Sequence, residues 1–91
     1  MGELRALASV AVGTRVVVRT VRCARDLRRR LLELGLLPGT EVEVIRRAPL
    51  GDPLELRLRG YALSIRREEA EAIDVELVSA AVVAAAREQP T

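Results

Sequence analysis

The sequence predicts a small, mainly β domain: a five-stranded, strongly curved sheet or barrel with one amphipathic helix between the first and second strands and a short helical turn before the last. Three observations carry this. Short runs that alternate apolar and polar residues, or are rich in β-branched residues, recur between residues 15 and 77. One segment alone switches to a helical period. Tyr61 is the only aromatic among 91 residues that are 49% hydrophobic, so the core must be built from Leu, Val, Ile and Ala. A chain of this length forms one domain and buries only about 60–65% of its unfolded surface.

The first strand is Arg15–Arg22, rich in valine and opened by Gly13. Over residues 24–34 the period changes: Leu27, Leu31 and Leu34 stand at i, i+4 and i+7, with Arg28, Arg29 and Glu33 around the other sides. That spacing predicts an amphipathic helix of about three turns. Gly35 follows the last periodic leucine and is placed to adopt the left-handed conformation that ends helices, which directs Leu36 back onto the last turn as a core residue. Leu37 precedes Pro38 and is therefore biased toward an extended backbone, pointing away from the helix. Pro38-Gly39 then supplies the two central residues of a type II turn.

The second strand, Thr40–Arg47, sets Val42 and Val44 on one face and Glu41 and Glu43 on the other. The segment Ala48-Pro49-Leu50-Gly51-Asp52-Pro53 reads as a rigid excursion with no sheet pairing inside it. Strand three, Leu54–Arg59, alternates without a break. Gly60-Tyr61 connects it tightly to strand four, Ala62–Arg66, whose Leu63 and Ile65 point inward. Residues 67–72 suit one helical turn, and Ile73–Leu77 closes the sheet. Gly35, Leu36, Gly39, Gly51 and Gly60 are thus the structural turn positions. After Leu77 the chain becomes rich in alanine and valine over residues 78–91, which leaves three outcomes open: a short helix, docking on the barrel, or mobility.

Catalytic, metal and cofactor sites are not expected. There is no histidine and a single cysteine, Cys23, whereas a protein-made transition-metal site usually needs two or more His or Cys ligands at close spacing. Cys23 has no histidine base to activate it, and no serine lies in a nucleophile-elbow context. No glycine is followed by the Lys-Ser/Thr of a phosphate loop. A lone cysteine fits a reducing cytoplasm, and the apolar run 77–86 is about half the length of a membrane span. The expectation is therefore a cytoplasmic chain that does not insert into a membrane.

All fifteen basic residues are arginine, against thirteen acidic residues, for a formal charge of +2. Arginine stays charged at any physiological pH, and the interspersed acids break any continuous positive track. Single-stranded nucleic-acid binding usually pairs a basic groove with several stacking aromatics, so nucleic acid is disfavoured as a partner.

Taken together, Leu27-Arg28-Arg29-Arg30-Leu31-Leu32-Glu33-Leu34-Gly35-Leu36, Pro38-Gly39-Thr40-Glu41-Val42, Arg47-Ala48-Pro49-Leu50-Gly51-Asp52-Pro53 and Arg59-Gly60-Tyr61 resemble the ferrous iron transport protein A (FeoA) family. The resemblance covers residues 9–77, with 78–91 as an Ala/Val-rich tail longer than the family's usual end. It implies an SH3-like small barrel, made in a bacterial or archaeal cytoplasm, that serves as an accessory or regulator of the membrane ferrous iron transporter FeoB, whose cytosolic part binds GTP. Through that partner the protein would sit at the inner face of the membrane. The family commonly has Pro-Gly where this sequence has Val12-Gly13, which implies a looser entry turn. Similar domains end the metal-dependent repressors of the diphtheria-toxin-repressor type, behind a helix-turn-helix domain for which this sequence has no room. Family descriptions attach transition-metal binding to the domain, a label the ligand inventory above does not support.

The expected function is therefore that of a binding module, not an enzyme, with Arg28, Arg29, Arg30, Leu37 and Pro38 as the partner-binding residues. The motivating feature is an apolar tip beside permanent cations. The alternative is a nucleic-acid-binding or metal-responsive regulatory module of the same fold. Sheet edges and the apolar tail also make weak homo-oligomers an expectation.

Overall fold

A computed structural model describes residues 3–78 of the chain. Expectations for the tail therefore concern mainly residues 79–91, outside the described residues. The expected elements are present, within a residue or two at their ends: β2 Arg15–Val21, α1 Arg25–Glu33, β3 Glu41–Arg47, β4 Leu54–Leu58, β5 Tyr61–Ile65, α2 Arg67–Ala70 and β6 Ile73–Leu77. One strand is added to the five expected. Residues Leu4–Ala6 form β1, followed by a single 3-10 turn over Leu7–Ser9. The strand is only three residues long and gains its order from β6, pairing Leu4 with Glu76 and Ala6 with Asp74. Its partner lies at the far end of the sequence, so local pattern gives little sign of it, and paired sheet thus extends N-terminal to residue 9.

The six strands form one antiparallel sheet in the order β1-β6-β2-β3-β4-β5. Bulges interrupt the β2–β6 pairing between Val18 and Thr20 and the β3–β4 pairing between Val44 and Arg46. Such irregularities increase local twist and help a small sheet to curl. The β4–β5 hairpin carries no shift in register.

Alternation decides what the curled sheet encloses. Val16, Val18, Val42, Val44, Leu54, Leu56, Leu58, Ile65, Ile73 and Val75 are buried, with Leu31 and Leu36 from the helical connection and Leu7 and Val10 from the N-terminal turn. Arg47 fixes that N-terminal turn by donating from Nη2 to the carbonyls of Ala8 and Val10, at 2.6 and 2.5 Å. The outer face carries ion pairs instead: Arg15 with Glu41, Arg19 with Glu76, Arg22 with Asp74, Arg46 with Glu55, and Arg57 with Glu43. The Asp74 carboxylate accepts hydrogen bonds from Arg22 and holds its guanidinium above the usual arginine pKa.

The entry turn at Val12-Gly13 is held despite lacking proline. Gly13 N–H donates to the Val44 carbonyl at 2.7 Å, and Val44 N–H donates back to Thr14 at 3.1 Å. Among the described residues, no helix is long and apolar enough to cross a membrane.

Candidate docking site

The joint between α1 and β3 is built from local rules that meet at Gly35. Leu34 closes the helix, Gly35 has φ +102°, and the next residue turns back. Gly35 N–H donates to Leu32 and Leu36 N–H to Leu31, at 3.0 and 3.1 Å. These are the paired bonds of a Schellman motif, which satisfy carbonyls left open by the end of the helix. Leu36 and Leu31 are both 0% exposed, so the hydrophobic contact that accompanies the motif lies inside the core.

The next turn reverses direction again. Thr40 N–H donates to the Leu37 carbonyl at 3.0 Å, and Gly39 at φ +92° occupies the position of a type II turn that L side chains adopt only with strain. Bonds from Gly39 N–H to Val18 and from Val18 N–H to Thr40, at 2.7 and 2.9 Å, tie the turn to β2. Leu37 is left at the tip, 37% exposed, beside an exposed Pro38. The neighbouring leucines of the sequence thus separate, Leu36 inward and Leu37 outward.

A second turn lies beside this tip. The β4–β5 hairpin closes through Arg59 and Gly60, both at positive φ (+50° and +82°), and Arg59 Nη2 reaches Thr40 Oγ1 at 3.5 Å. The Tyr61 hydroxyl donates to the Leu34 carbonyl, capping the end of α1 from the side. Gly35 is needed here for space as well as for φ, because a Cβ at this position would stand 2.6 Å from the Tyr61 oxygen. Gly39, Thr40, Arg59 and Gly60 line one end of a groove of about 690 Å³ that continues along Arg15, Glu41, Glu43 and Arg57. Tyr61, 44% exposed, therefore serves the tip as a strut. Nothing in the sequence around Tyr61 marks this role, since its partner Leu34 is 27 positions away.

Arg28, Arg29 and Arg30 are not brought to one place. Successive helical residues are turned by about 100°, so Arg30 lies nearly opposite Arg28 and turns toward α2. Arg28 and Arg29 lie with Arg25, Leu32 and Glu33 around an open depression of about 400 Å³. Neither forms an ion pair among the described residues. Arg30 instead pairs with Glu69 of α2, whose carboxylate is buried and also accepts Arg66 N–H at 2.8 Å. Arg30 thus compensates a buried charge and fastens α1 to α2. Its removal would strand that carboxylate, which makes it a structural residue first.

Gly51 lies in the loop after β3 and Gly60 in the β4–β5 hairpin, both at positive φ. That loop presents Leu50, 92% exposed and the most exposed of the large apolar side chains among the described residues. Among the described residues, no group of three or more His, Cys, Asp or Glu side chains is gathered that would hold a metal ion.

The FeoA domain model matches residues 5–77. Among characterised relatives, the chain is 38% identical over 73 residues to a Fe(2+) transport protein A/Fe(2+) transporter FeoB fusion protein of Porphyromonas gingivalis, covering 80% of this chain and 9% of that protein. It therefore spans a small part of the fusion's length. Among solved structures, an FeoA-like protein from Clostridium acetobutylicum superposes with a TM-score of 0.79 at 38% identity, over 87% of this chain and 92% of that one. FeoA of Stenotrophomonas maltophilia, solved with zinc and described as a prokaryotic SH3 domain protein, gives 0.70 at 32% identity, over 79% of this chain and 89% of that one.

Proposed function

The chain belongs to the FeoA domain family, and from that premise we propose that it is an accessory protein of ferrous iron uptake that docks on the cytosolic, GTP-binding part of a FeoB-type transporter. The observation that carries the reading is the fusion relative, in which the equivalent of this domain and a FeoB transporter are one polypeptide. Covalent joining keeps two partners at high effective concentration, and such fusions are useful where the separate partners associate.

Leu37 and Pro38 form the centre of the proposed contact, with Arg59 and Tyr61 beside them and Arg28 and Arg29 on the adjoining helix. A leucine on a doubly hydrogen-bonded turn loses little conformational entropy on binding, which favours it as an anchor. Arg28 and Arg29, without an ion pair among the described residues, would act mainly on encounter rate and orientation. Arg30 contributes indirectly, by holding α1 in position. No chemistry is assigned to the domain itself, and the proposal treats it as a binding module.

The nucleic-acid alternative is disfavoured by the outer face of the sheet. There, five arginines are matched to carboxylates at 3.7 Å or less, leaving no continuous positive track for a phosphate backbone.

Titration against the purified cytosolic portion of the transporter tests the reading. Leu37→Arg is expected to weaken binding by about tenfold or more, the scale of a buried anchor, with the melting temperature unchanged. Wild-type affinity in that variant would reject the tip. No association by the unaltered protein, with transporter GTP hydrolysis unchanged in its presence, would reject docking altogether.

A further inference from the structure

Among the described residues, the outermost strand β5 pairs with β4 alone, so its other edge has no partner strand there. We propose that this free edge is a strand-addition site for an extended, acidic segment of another protein. The proposed edge adjoins the docking tip at Arg59 and Tyr61 but does not require the transporter.

Backbone geometry comes first. Leu58 and Tyr61 flank a two-residue hairpin turn and face each other in register, which makes them a hydrogen-bonded pair. Leu56 with Leu63 and Leu54 with Ile65 repeat that pairing two and four residues on. The N–H and C=O groups of Ala62 and Ser64 must then point to the open side. An incoming strand meets two donors and two acceptors at its own two-residue period, the arrangement used in β-augmentation.

The edge also lacks the usual protections. Natural edge strands are blunted by charge, proline, a bulge or extreme shortness. The β1 edge, at three residues, is short; β5 runs five residues, contains no charge or proline, and lies in a hairpin without a register shift. Its outward side chains, Ala62 and Ser64, are exposed and small enough not to obstruct a neighbour.

Charge around the edge selects the occupant. Arg57 lies opposite Ala62, Arg59 stands at the turn and Arg66 follows the last strand residue. Arg59 and Arg66 form no ion pair among the described residues, while Arg57 is paired with Glu43 at 3.7 Å. The one acid opposite this strand, Glu55, is engaged by Arg46 at 3.1 Å. A second copy is a poor match: antiparallel pairing of Ala62 with Ser64 of the other copy sets Arg59 against Arg67 at both ends. An acidic strand meets opposite charge along the same path.

The test uses the full chain at low ionic strength, with an alternating glutamate–valine hexapeptide as probe and its lysine–valine counterpart as control. Saturable amide shifts are expected at Ala62 and Ser64, with hydrogen exchange there slowed by about tenfold or more at saturation, and no response to the lysine peptide. Ser64→Pro removes a donor that faces away from β4, a position where an edge strand tolerates proline, and should abolish the response. Arg59→Ser combined with Arg66→Ser should weaken binding by about threefold to tenfold; this second variant decides the matter should the proline variant fail to fold. Absence of protection at Ala62 and Ser64, or equal binding of the lysine peptide, would overturn the proposal. So would a dimer of the free protein that protects those same amides, which would make the occupant a second copy.

Discussion

The joint Gly35–Thr40 and the loop Ala48–Pro53 look alike in sequence, each combining leucine, proline and glycine, and each holds a leucine in solvent. Their attachments differ. The joint is fixed by the Schellman bonds, by two bonds to β2 and by the Tyr61 hydroxyl, with Leu36 sunk in the core beside it. The loop is closed by Ala48 N–H to Pro53 and Gly51 N–H to Ala48, at 3.1 and 2.7 Å, and its outward tie is Asp52, accepting Arg67 N–H at 3.0 Å. It places no leucine in the core. Exposure alone would rank Leu50 above Leu37; attachment and neighbouring charge reverse the order.

The largest expected effect tests whether the joint draws its rigidity from the core. Leu36→Ala should cost about 3 kcal/mol, within the range for buried leucine, and lower the melting temperature by about 15 °C. Leu37→Ala should stay within about 0.5 kcal/mol. Similar losses in urea denaturation of the two variants would mean that the inward and outward assignments are wrong.

Next in size is the contact between Gly35 and Tyr61. Gly35→Ala forces a left-handed residue to carry a Cβ, which costs about 1–2 kcal/mol, and drives that Cβ toward the tyrosine oxygen, 2.6 Å away. Tyr61→Phe loses one hydrogen bond, worth about 1 kcal/mol. Combined, the two should cost less than their sum, because phenylalanine frees the space that alanine needs. Strict additivity would show that the strut does not constrain the joint.

How far the sequence reveals this architecture follows from the distance over which each feature is determined. The split of Leu36 from Leu37 is encoded within five letters by glycine and proline, and alternation placed β3, β4 and β6 because one face of each is buried. Strand β1 leaves no local signal, being three residues ordered by a partner about 70 positions away. The arginine triplet reads in sequence as one set of partner-binding residues, but Arg30 belongs with Glu69, and only the packing of α2 on α1 shows that. The paired outer-face arginines were visible as composition and invisible as pairs, since each bond depends on strand register.

A smaller effect addresses the loop. Asp52→Ala removes the acceptor for Arg67 N–H at the start of α2 and should cost about 0.5–1 kcal/mol. Amide exchange should rise at Gly51 and Arg67 while residues 35–40 keep their protection. If the joint loosens as well, the two regions form one cooperative unit and the contrast between them fails.

The smallest expected change in stability is also the most discriminating. Leu50→Ser and Leu37→Ser each remove an exposed apolar side chain, so both should unfold within about 0.5 kcal/mol of the unaltered protein. Binding should separate them. Leu37→Ser is expected to weaken association with the cytosolic portion of the transporter by about tenfold, because its turn is held in the geometry that a partner would meet. Leu50→Ser should leave that affinity unchanged: its loop has fewer outward ties, and a mobile anchor gives back in ordering entropy part of what its burial contributes. The reverse result, with Leu50→Ser weakening and Leu37→Ser neutral, would move the docking surface to the Ala48–Pro53 loop and show that exposed apolar area outweighs preorganisation in this domain.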